Sequence, residues 1–437
     1  MSRILIKNLK DHSEKDVDLM GRILNIRKLG SITFVVLQDY TGTVQVVFEQ
    51  EINSGIGEAV IVSGTAKLEE RAKGGVEVAA KKIETISKNY EELPFDFASR
   101  EINLQLNTLL DLRTLSLRHP KVQAIFKLYD LTLEAYEKVM REQGFTEVKT
   151  PKILEAASEG GANFFKIDYF EKEAFLAQSP QFYKQIMVGV FERVFEIGPV
   201  FRAEPHFTTR HINEYISLDA EMGFINDYKD VAKMLNVVIK YIFEYVRDNG
   251  QQYLNEYKVE VPDVPAEIPM VKLSEIRKIV KEKYNYTIPE NTDIDPEGER
   301  LAGRWAKEEH NSDFLFITNY FWKDKPFYTM PSDPSRGGEA EAGDEQNETE
   351  GFDLIFRGTE IVTGGQRIHD YKMLIDNMAK KGVKPKGMEF YLDTFKFAMP
   401  PHGGWGIGSE RLIYLLLGLS SIKEAVLFPR DVKRLAP

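Results

Sequence analysis

Hydrophobic and polar residues alternate most clearly over residues 193–224, in the sequence RVFEIGPVFRAEPHFTTRHINEYISLDAEMGF. Because successive side chains of a β-strand point to opposite faces, this pattern predicts two strands joined by a long polar loop. One predicted face is apolar and suits a protein core. The other carries arginine, histidine, tyrosine and several carboxylates, and that whole set favours a bound, highly charged ligand over ordinary solvent exposure.

The charged face of this hairpin has the side chains that a nucleotide requires. The planar guanidinium of Arg202 suits a phosphate, Glu204 can accept from an exocyclic amine, and Tyr215 can stack on a base. Arg210 and His211 follow at the far end of the connecting loop.

Short alternating segments also fill residues 7–87, with predicted hairpin turns at 39–42 and 74–75. Five strands in this length favour a small closed barrel of the OB type, which commonly binds oligonucleotides. A barrel without a ligand, or an interaction module, fits the pattern equally well. Phe34 and Gln38 could stack on and hydrogen-bond to unpaired bases, although a buried phenylalanine is more usual in a barrel.

The alternation then fades, and helical spacing follows over 121–143, with Pro120 as a start signal and Gly144 as a stop signal. The segment 331–351 is acidic, glycine-rich and without large apolar residues, which predicts a mobile loop. The division that we predict is a barrel at 1–90, a linker at 91–115 and a larger domain at 116–437.

The composition of the chain limits the number of domains, the kinds of chemical site and the partners that it can have. At 437 residues the chain exceeds what one core usually supports. It contains no cysteine, which excludes disulfides, thiol nucleophiles and cysteine-based metal sites. We expect a cytoplasmic protein without a membrane partner, because no signal-like segment or membrane-length apolar run is visible. The net charge of −11 means that a nucleic-acid partner must be inferred from a local site.

Three further clusters carry candidate chemistry. Ser179 before Pro180 predicts a helix start that places Gln181 and Lys184 one turn apart on one face, although most helical lysines are simply solvated. A second cluster holds Asp353 and Glu360, and a third is rich in glycine and is described below.

Asp353 and Glu360 flank a glycine turn and could share a hard cation such as Mg²⁺, whereas alone they would be read as surface carboxylates. Gly364 and Gly365 could form a bulge that re-aims Arg367. The glycine-rich run at 403–411 would let a flat ligand lie against the backbone. Because no βαβ context surrounds the run, we reject a dinucleotide-binding loop.

Together these segments resemble the class II aminoacyl-tRNA synthetases, specifically aspartyl-tRNA synthetases of the archaeal and eukaryotic type. Residues 144–151 resemble motif 1, 201–215 motif 2 and 406–411 motif 3. The resemblance covers nearly the whole chain. It implies an α+β protein, with an N-terminal OB-type barrel that binds the anticodon and a catalytic antiparallel sheet flanked by helices. Because motif 1 usually forms the dimer interface, it also implies a homodimer.

The resemblance implies ATP as a substrate and Mg²⁺ as its metal. Arg202 would hold the α-phosphate and Glu204 the adenine amine. The full implied ATP set is Arg202, Glu204, Arg210, His211, Tyr215, Glu360, Gly408 and Arg411. Of these, the implied catalytic residues are Arg202, Glu360 and Arg411. The implied metal ligands are Asp353, Glu360 and Thr363.

On the amino-acid side, Gln181 and Asp219 would hold the substrate ammonium, while Lys184 and Arg367 would hold its side-chain carboxylate. Asparagine would leave these two partly buried cations without a matching charge, a mismatch that can reject an analogue by roughly 10⁴. The asparaginyl relatives lack this lysine. The implied aspartate-binding set is Ser158, Glu159, Gln181, Lys184, Asp219, Thr363 and Arg367.

The implied activity is that of an aspartate–tRNA ligase, which forms aspartyl-adenylate and then charges tRNA(Asp). Barrel side chains would decide whether tRNA(Asn) is also accepted, and the sequence leaves that open. The alternatives are an asparaginyl-tRNA synthetase, an amidating enzyme and a synthetase-like nucleic-acid-binding protein without catalysis. The implied anticodon contacts are Leu24, Phe34, Gln38 and Lys73.

Overall fold

A computed structural model describes residues 3–72, 74–99, 101–155, 164–205, 208–290, 293–332 and 347–437. The chain separates into two compact units, Met1–Gln105 and Leu106–Pro437. Ser158, Glu159, Lys73 and most of the acidic segment lie outside the described residues. The exact domain limits given above, including the linker at 91–115, stay a prediction.

The first unit contains a closed five-stranded barrel, which confirms the predicted fold of this part of the chain. Its strands are β1 Asp16–Leu29, β2 Ile32–Asp39, β3 Gly42–Phe48, β4 Ala59–Leu68 and β5 Val76–Ser87. They lie in the spatial order β1-β2-β3-β5-β4. The predicted turn at 39–42 joins β2 to β3, because Asp39 pairs with Gly42.

The positions of the predicted anticodon residues follow from the alternation along the barrel strands. Val35 and Leu37 of β2 are fully buried in the barrel interior. Phe34 and Gln38, at the alternate positions, are therefore on the outer face and half-buried, so a core position for Phe34 is wrong. Leu24 is only 8% exposed and lies at a β-bulge in β1.

The second unit is built on an eight-stranded sheet in the order β12-β13-β14-β15-β16-β11-β10-β6, beside a small sheet β7-β9-β8. The strands are β6 Thr146–Glu147, β7 Ile153–Leu154, β8 Lys166–Tyr169, β9 Lys172–Leu176, β10 Arg193–Phe201, β11 Glu214–Gly223, β12 Met270–Lys272, β13 Phe314–Thr318, β14 Gly351–Phe356, β15 Thr359–Arg367 and β16 His402–Gly408. The helices are α1 Leu106–Asp111, α2 Arg113–Ser116, α3 Pro120–Glu142, α4 Gln181–Phe191, α5 Tyr228–Tyr257, α6 Leu273–Tyr284, α7 Pro296–His310, α8 Tyr371–Lys380, α9 Glu389–Phe395 and α10 Ser409–Leu417. None of the described helices is long and apolar enough to cross a membrane.

Helix α3 is the helix predicted over 121–143, and it packs with α5 and α10 in the main core of this unit. Pro120 is its first residue, and Gly144 follows its end with φ of +78°. The buried hydroxyl of Tyr136 donates to the backbone oxygen of Asp219 at 2.9 Å. The core helix is thereby connected directly to β11.

The hairpin predicted at 193–224 is confirmed as β10 and β11, which pair antiparallel. Phe195, Leu218, Ala220 and Met222 from its apolar side lie in the main core. The sheet continues from β11 through β16 and β15 to β14. Three of the sequence clusters therefore lie side by side on neighbouring strands.

One predicted backbone detail is wrong. Strand β15 pairs with β16 in continuous register through Gly364 and Gly365, so no bulge forms there. The irregularity lies nearer the turn, where Leu354 pairs with Val362 and Ile355 pairs with Glu360. Arg367 is thus oriented by regular strand geometry.

Candidate active site

A cleft opens over β10, β11, β15, β16 and α10, and every residue that was predicted to bind ATP lines it. These residues are Arg202, Glu204, Arg210, His211, Tyr215, Glu360, Gly408 and Arg411. Gly406 also faces the cleft, whereas Gly403 and Gly404 are buried against neighbouring strands. The prediction that glycine leaves the backbone accessible to a flat ligand therefore fits Gly406 and Gly408, but not Gly403 and Gly404.

Charged groups from α10 and β15 approach each other across the floor of the cleft. The Arg411 guanidinium donates to the backbone oxygen of Glu360 at 2.8 Å and lies 3.6 Å from its carboxylate. Arg202 lies over the ring of Tyr215, 5.8 Å from its centroid. Glu410 accepts a backbone N–H from β11 at 3.0 Å, which fixes the start of α10 against that strand.

The sequence reasoning missed the C-terminal residues that hold the long β10–β11 loop. The backbone N–H of Ile422 donates to the oxygen of Thr209 at 2.8 Å. The backbone N–H of Asn213 donates to the oxygen of Arg430, also at 2.8 Å. These are backbone contacts between distant parts of the chain, so no side-chain pattern in the sequence signals them.

Beyond Gly406 the sheet contains a buried cluster of charges that includes three of the predicted aspartate-binding residues, Lys184, Asp219 and Arg367. The ammonium of Lys184 lies 2.8 Å from Asp219 and 3.5 Å from Glu221. The guanidinium of Arg367 lies 2.9 Å from Glu221 and also donates to the oxygen of Gly404 at 3.1 Å. All four charged side chains are less than a tenth exposed. Lys184 is thus not a solvated helical lysine.

This geometry corrects the premise that the substrate alone would match the two cations. Lys184 and Arg367 are buried, and both already have carboxylate partners within the protein. Glu221 was not singled out from the sequence, because it is one of several acidic residues at alternating positions on β11. Its carboxylate has a lowered pKa, because Arg367 and Lys184 outweigh the opposing effect of its complete burial.

Behind Glu221 a buried hydrogen-bond chain fixes a neutral histidine. The Tyr391 hydroxyl donates to the oxygen of the Gln185 side-chain amide at 2.9 Å. The amide nitrogen of Gln185 lies 3.0 Å from His402 Nε2, while His402 Nδ1 lies 2.8 Å from the backbone oxygen of Pro400. Since a carbonyl only accepts, Nδ1 carries the proton and Nε2 accepts from the amide. Burial lowers the pKa of His402 to about 4, so the ring is uncharged at neutral pH.

Among the charged side chains of the cluster and Gln181, three buried polar atoms lack a hydrogen-bond partner in the part of the chain that the structure describes. They are Asp219 Oδ2, Glu221 Oε2 and the side-chain nitrogen of Gln181. Asp219 Oδ1 is already bonded to Lys184, so its second oxygen is the one left to bind a ligand. An acceptor of this kind suits the ammonium of an amino acid.

The carboxylates predicted to hold a metal are not equivalent. Glu360 and Thr363 line the cleft. Asp353 is buried, and the ammonium of Lys325 lies 3.2 Å from each of its oxygens. Its burial raises its pKa, and Lys325 opposes that change. Within the described ranges, no three His, Asp or Glu side chains form a metal-binding group.

A carboxylate that the sequence did not predict also faces the cleft. Glu299, on α7, lies 3.3 Å from Arg210. Its burial raises its pKa to about 7, and the nearby Glu360 acts in the same direction, while Arg210 opposes both. Glu299 is one of many acidic residues on a charged helix, so only the tertiary structure distinguishes it.

The largely antiparallel sheet, the flanking helices and the cleft lined by motifs 2 and 3 define a class II aminoacyl-tRNA synthetase. A family model described as "tRNA synthetases class II (D, K and N)" matches residues 105–432. The chain belongs to this family, and it is therefore a ligase that forms aminoacyl-tRNA with ATP as a substrate. A second model, described as an OB-fold nucleic acid binding domain, matches residues 17–86.

The chain is similar to synthetases of two amino-acid specificities. It is 44% identical to an aspartate–tRNA(Asp/Asn) ligase of Deinococcus radiodurans, over 100% of this chain and 99% of that one. It is 40% identical to an aspartate–tRNA(Asp) ligase of Pyrococcus horikoshii, over 97% and 96%. It also resembles the crystal structure of the asparaginyl-tRNA synthetase of Pyrococcus horikoshii complexed with asparaginyl-adenylate, at 29% identity and a TM-score of 0.89 over the whole of both chains.

Proposed function

We propose that the protein is an aspartate–tRNA ligase, which activates L-aspartate with ATP and transfers it to the 3′ end of tRNA(Asp). The observation that carries the proposal is the charge balance of the buried cluster. Asp219 has one oxygen left for the substrate ammonium. Once Asp219 is paired with the substrate ammonium, Lys184 and Arg367 share a single carboxylate, that of Glu221. One positive charge of the cluster is then left without a negative partner.

The side-chain carboxylate of aspartate would neutralise that charge, whereas the amide of asparagine would not. An uncompensated buried charge is strongly unfavourable. The neutral state of His402 matters here, because a protonated ring beside Glu221 would add a second positive charge. The pocket therefore favours aspartate over asparagine, although the protein itself supplies two carboxylates.

In the first step the α-carboxylate of aspartate attacks the α-phosphorus of ATP, and the bond to pyrophosphate breaks. No general base is required, because the nucleophile is already an anion. Arg202 stabilises charge on the α-phosphate oxygens, while Arg210, His211 and Arg411 bind the departing pyrophosphate. Gln181 and Asp219 hold the ammonium and thereby orient the attacking carboxylate.

Mg²⁺ fits the oxygen donors of Glu360 and Thr363, since this metal is commonly bound by one or two carboxylates together with substrate phosphates. Asp353, the third predicted ligand, does not line the cleft and is paired with Lys325. When bound, the metal would neutralise charge on the phosphates of ATP.

The second step requires tRNA, and we assign anticodon recognition to the barrel. The outward Phe34 and Gln38 suit stacking on and hydrogen bonding to bases. Leu24 and Lys73 remain predicted contacts. We propose tRNA(Asn) as a second acceptor, because relatives at 44% and 42% identity are named for both tRNAs.

We also propose a cytoplasmic homodimer that is joined through motif 1. Strand β6 of this motif lies at the edge of the large sheet, where a second copy could extend the pairing. Sedimentation analysis at assay concentrations should give twice the mass of the chain. A monomeric, active protein would contradict this proposal.

The decisive experiment is ATP–pyrophosphate exchange with Mg²⁺ and with aspartate, asparagine or no amino acid. We expect exchange with aspartate alone. Exchange with asparagine would contradict the selection of aspartate by the buried charges. A folded protein that supports no exchange with either amino acid would contradict the proposal that it is an enzyme. Charging of tRNA(Asp) and tRNA(Asn) transcripts then tests the choice of acceptor.

A further inference from the structure

Glu299 is a buried carboxylate in the part of the cleft that we assign to the phosphates of ATP. It is only 7% exposed and lines the cleft together with Arg210, His211 and Arg411. A negative charge is unexpected there, because it repels the ligand that the surrounding arginines would attract. A specific role must therefore offset both this repulsion and the cost of burying the carboxylate.

The contacts of Glu299 connect it to the β10–β11 loop. Its Oε2 atom lies 3.3 Å from Nη1 of Arg210, and the backbone N–H of Glu360 points to the same oxygen at 3.4 Å. Arg210 belongs to the loop, and its side chain is 29% exposed. The pair thus joins an accessible loop arginine to a buried carboxylate on α7.

The position of Glu299 is fixed by close packing of α7 against the β14–β15 turn. A Cβ atom on Gly303 of α7 would lie 2.6 Å from backbone atoms of Gly358 in that turn. Asp295 caps the helix by accepting the backbone N–H of Gly298. The carboxylate is therefore held by closely packed elements, whereas Arg210 belongs to a connecting loop and is partly exposed.

Helix stability does not account for this residue. A carboxylate near a helix N-terminus is favourable without being buried. Glu297, two positions earlier on α7, is in that favourable region, is 42% exposed and pairs with Arg300. Glu299 thus differs from its neighbour in facing the cleft and in having a loop arginine as its partner.

We propose that Glu299 is a positioning residue that holds Arg210 at the cleft until the polyphosphate of ATP displaces it. A phosphate offers a guanidinium a stronger, bidentate partner than one carboxylate oxygen at this distance does. Pairing with Glu299 keeps Arg210 oriented in the empty enzyme. Because ATP must displace Glu299 from Arg210, ATP binds more weakly than it would to the arginines alone. The inference rests on the proposed function, because it assigns Arg210 to ATP.

The test is calorimetric binding of ATP and of AMP to the full chain at saturating Mg²⁺, without amino acid. The pH is set above the raised pKa of Glu299, about 7, so that its carboxylate is charged. Glu299→Gln removes the charge and keeps the shape, so we expect ATP to bind about 3- to 10-fold more tightly. AMP should bind as it does to the unaltered protein, because its single phosphate is assigned to Arg202. Glu297→Gln is the matched control on the same helix and should change neither affinity.

A double variant shows whether Glu299 acts through Arg210. In an Arg210→Gln background, the gain from Glu299→Gln should shrink to less than about twofold. Unchanged or weaker ATP binding by Glu299→Gln, an equal effect on AMP, or an undiminished gain in the Arg210→Gln background would overturn the proposal. So would a raised Mg²⁺ requirement in pyrophosphate exchange, which would make Glu299 a metal ligand.

Failure of this inference is distinguishable from failure of the proposed function. If the unaltered chain binds no ATP and supports no exchange, the function itself is wrong. If the unaltered chain does both and Glu299→Gln behaves like Glu297→Gln, only the role of Glu299 is wrong.

Discussion

At the scale of single residues, the proposed selection of aspartate depends on how Glu221 divides its two oxygens between two cations. Oε1 lies 2.9 Å from Arg367, and Oε2 lies 3.5 Å from Lys184. The roles of Lys184, Arg367 and Asp219 were implied by the resemblance to the aspartyl-tRNA synthetases. Glu221 and His402 were not, because their importance comes from cross-strand neighbours that are distant in sequence.

We predict that Lys184→Met raises the KM for aspartate by roughly 10²-fold, since it removes the residual positive charge and leaves buried carboxylates without their cation. The KM for ATP should change little, because Lys184 does not line the ATP cleft. Lys152→Met is a suitable control, since that lysine lies 2.9 Å from the buried Glu196 and also lies outside the cleft. Equal KM values for aspartate in the two variants would show that Lys184 does not bind the substrate.

We predict that His402 makes the protein less stable at acid pH. Burial depresses its pKa to about 4 in the folded state, so the unfolded chain binds the proton more tightly. This contribution to stability is complete above the unfolded pKa of about 6.5, and about 2 kcal/mol is lost between pH 6.5 and pH 5.

The measurement is urea unfolding of the ligand-free protein at these two pH values, for the unaltered chain and for His402→Gln. Comparing the two proteins removes the contributions of the other titrating groups to the pH dependence, because both proteins share them. The variant should lose less stability than the unaltered protein as the pH falls, and identical losses would contradict the prediction.

At the scale of elements, the β10–β11 hairpin and α3 were predictable because each satisfies its own periodicity locally. The packing of strand β16 was not predicted from its sequence. Its glycines were interpreted as a surface for ligand, but Gly403 and Gly404 are buried against β15 and β11. The reason is close approach between strands, which depends on a partner that the local sequence does not reveal.

We predict that Gly404→Ala strongly reduces both stability and aspartate activation. A Cβ atom there would lie 2.0 Å from the backbone oxygen of Ala220 and 2.4 Å from Glu221 Oε2, so the strand or the carboxylate must move. Gly408→Ala on the same strand is a control for stability, because its Cβ would meet only Arg411, at 3.6 Å. Thermal unfolding distinguishes them, and equal melting temperatures would contradict the packing described here.

At the scale of the whole molecule, all described residues of the cleft and of the buried charge cluster belong to the second unit, Leu106–Pro437. The barrel contributes a separate core and carries the predicted anticodon residues. Activation of the amino acid and recognition of the anticodon are therefore assigned to different units.

We predict that a chain of residues 106–437 retains ATP–pyrophosphate exchange with aspartate within about threefold, provided that its thermal transition is intact. Charging of tRNA(Asp) should fall by roughly 10²-fold or more, since base-stacking contacts contribute about 1–3 kcal/mol each. Changing the anticodon should impair charging by the full chain but leave the residual charging by the shorter chain unaltered. A shorter chain that still distinguishes anticodons would contradict this division of roles.

The sequence by itself determined the elements and the motif residues, because strand alternation, helical spacing and turn residues act over a few positions. It thereby predicted the barrel, the central hairpin and α3. The resemblance to the class II synthetases implied the eight ATP-binding residues that line the cleft, but not Glu299. Only the tertiary structure decided which charges meet. Glu221 between two cations, Lys325 on Asp353, Glu299 on Arg210 and the C-terminal contacts to the β10–β11 loop all join residues that are far apart in the chain. Ion pairs and backbone hydrogen bonds of this kind depend on distances in space, which no local pattern encodes.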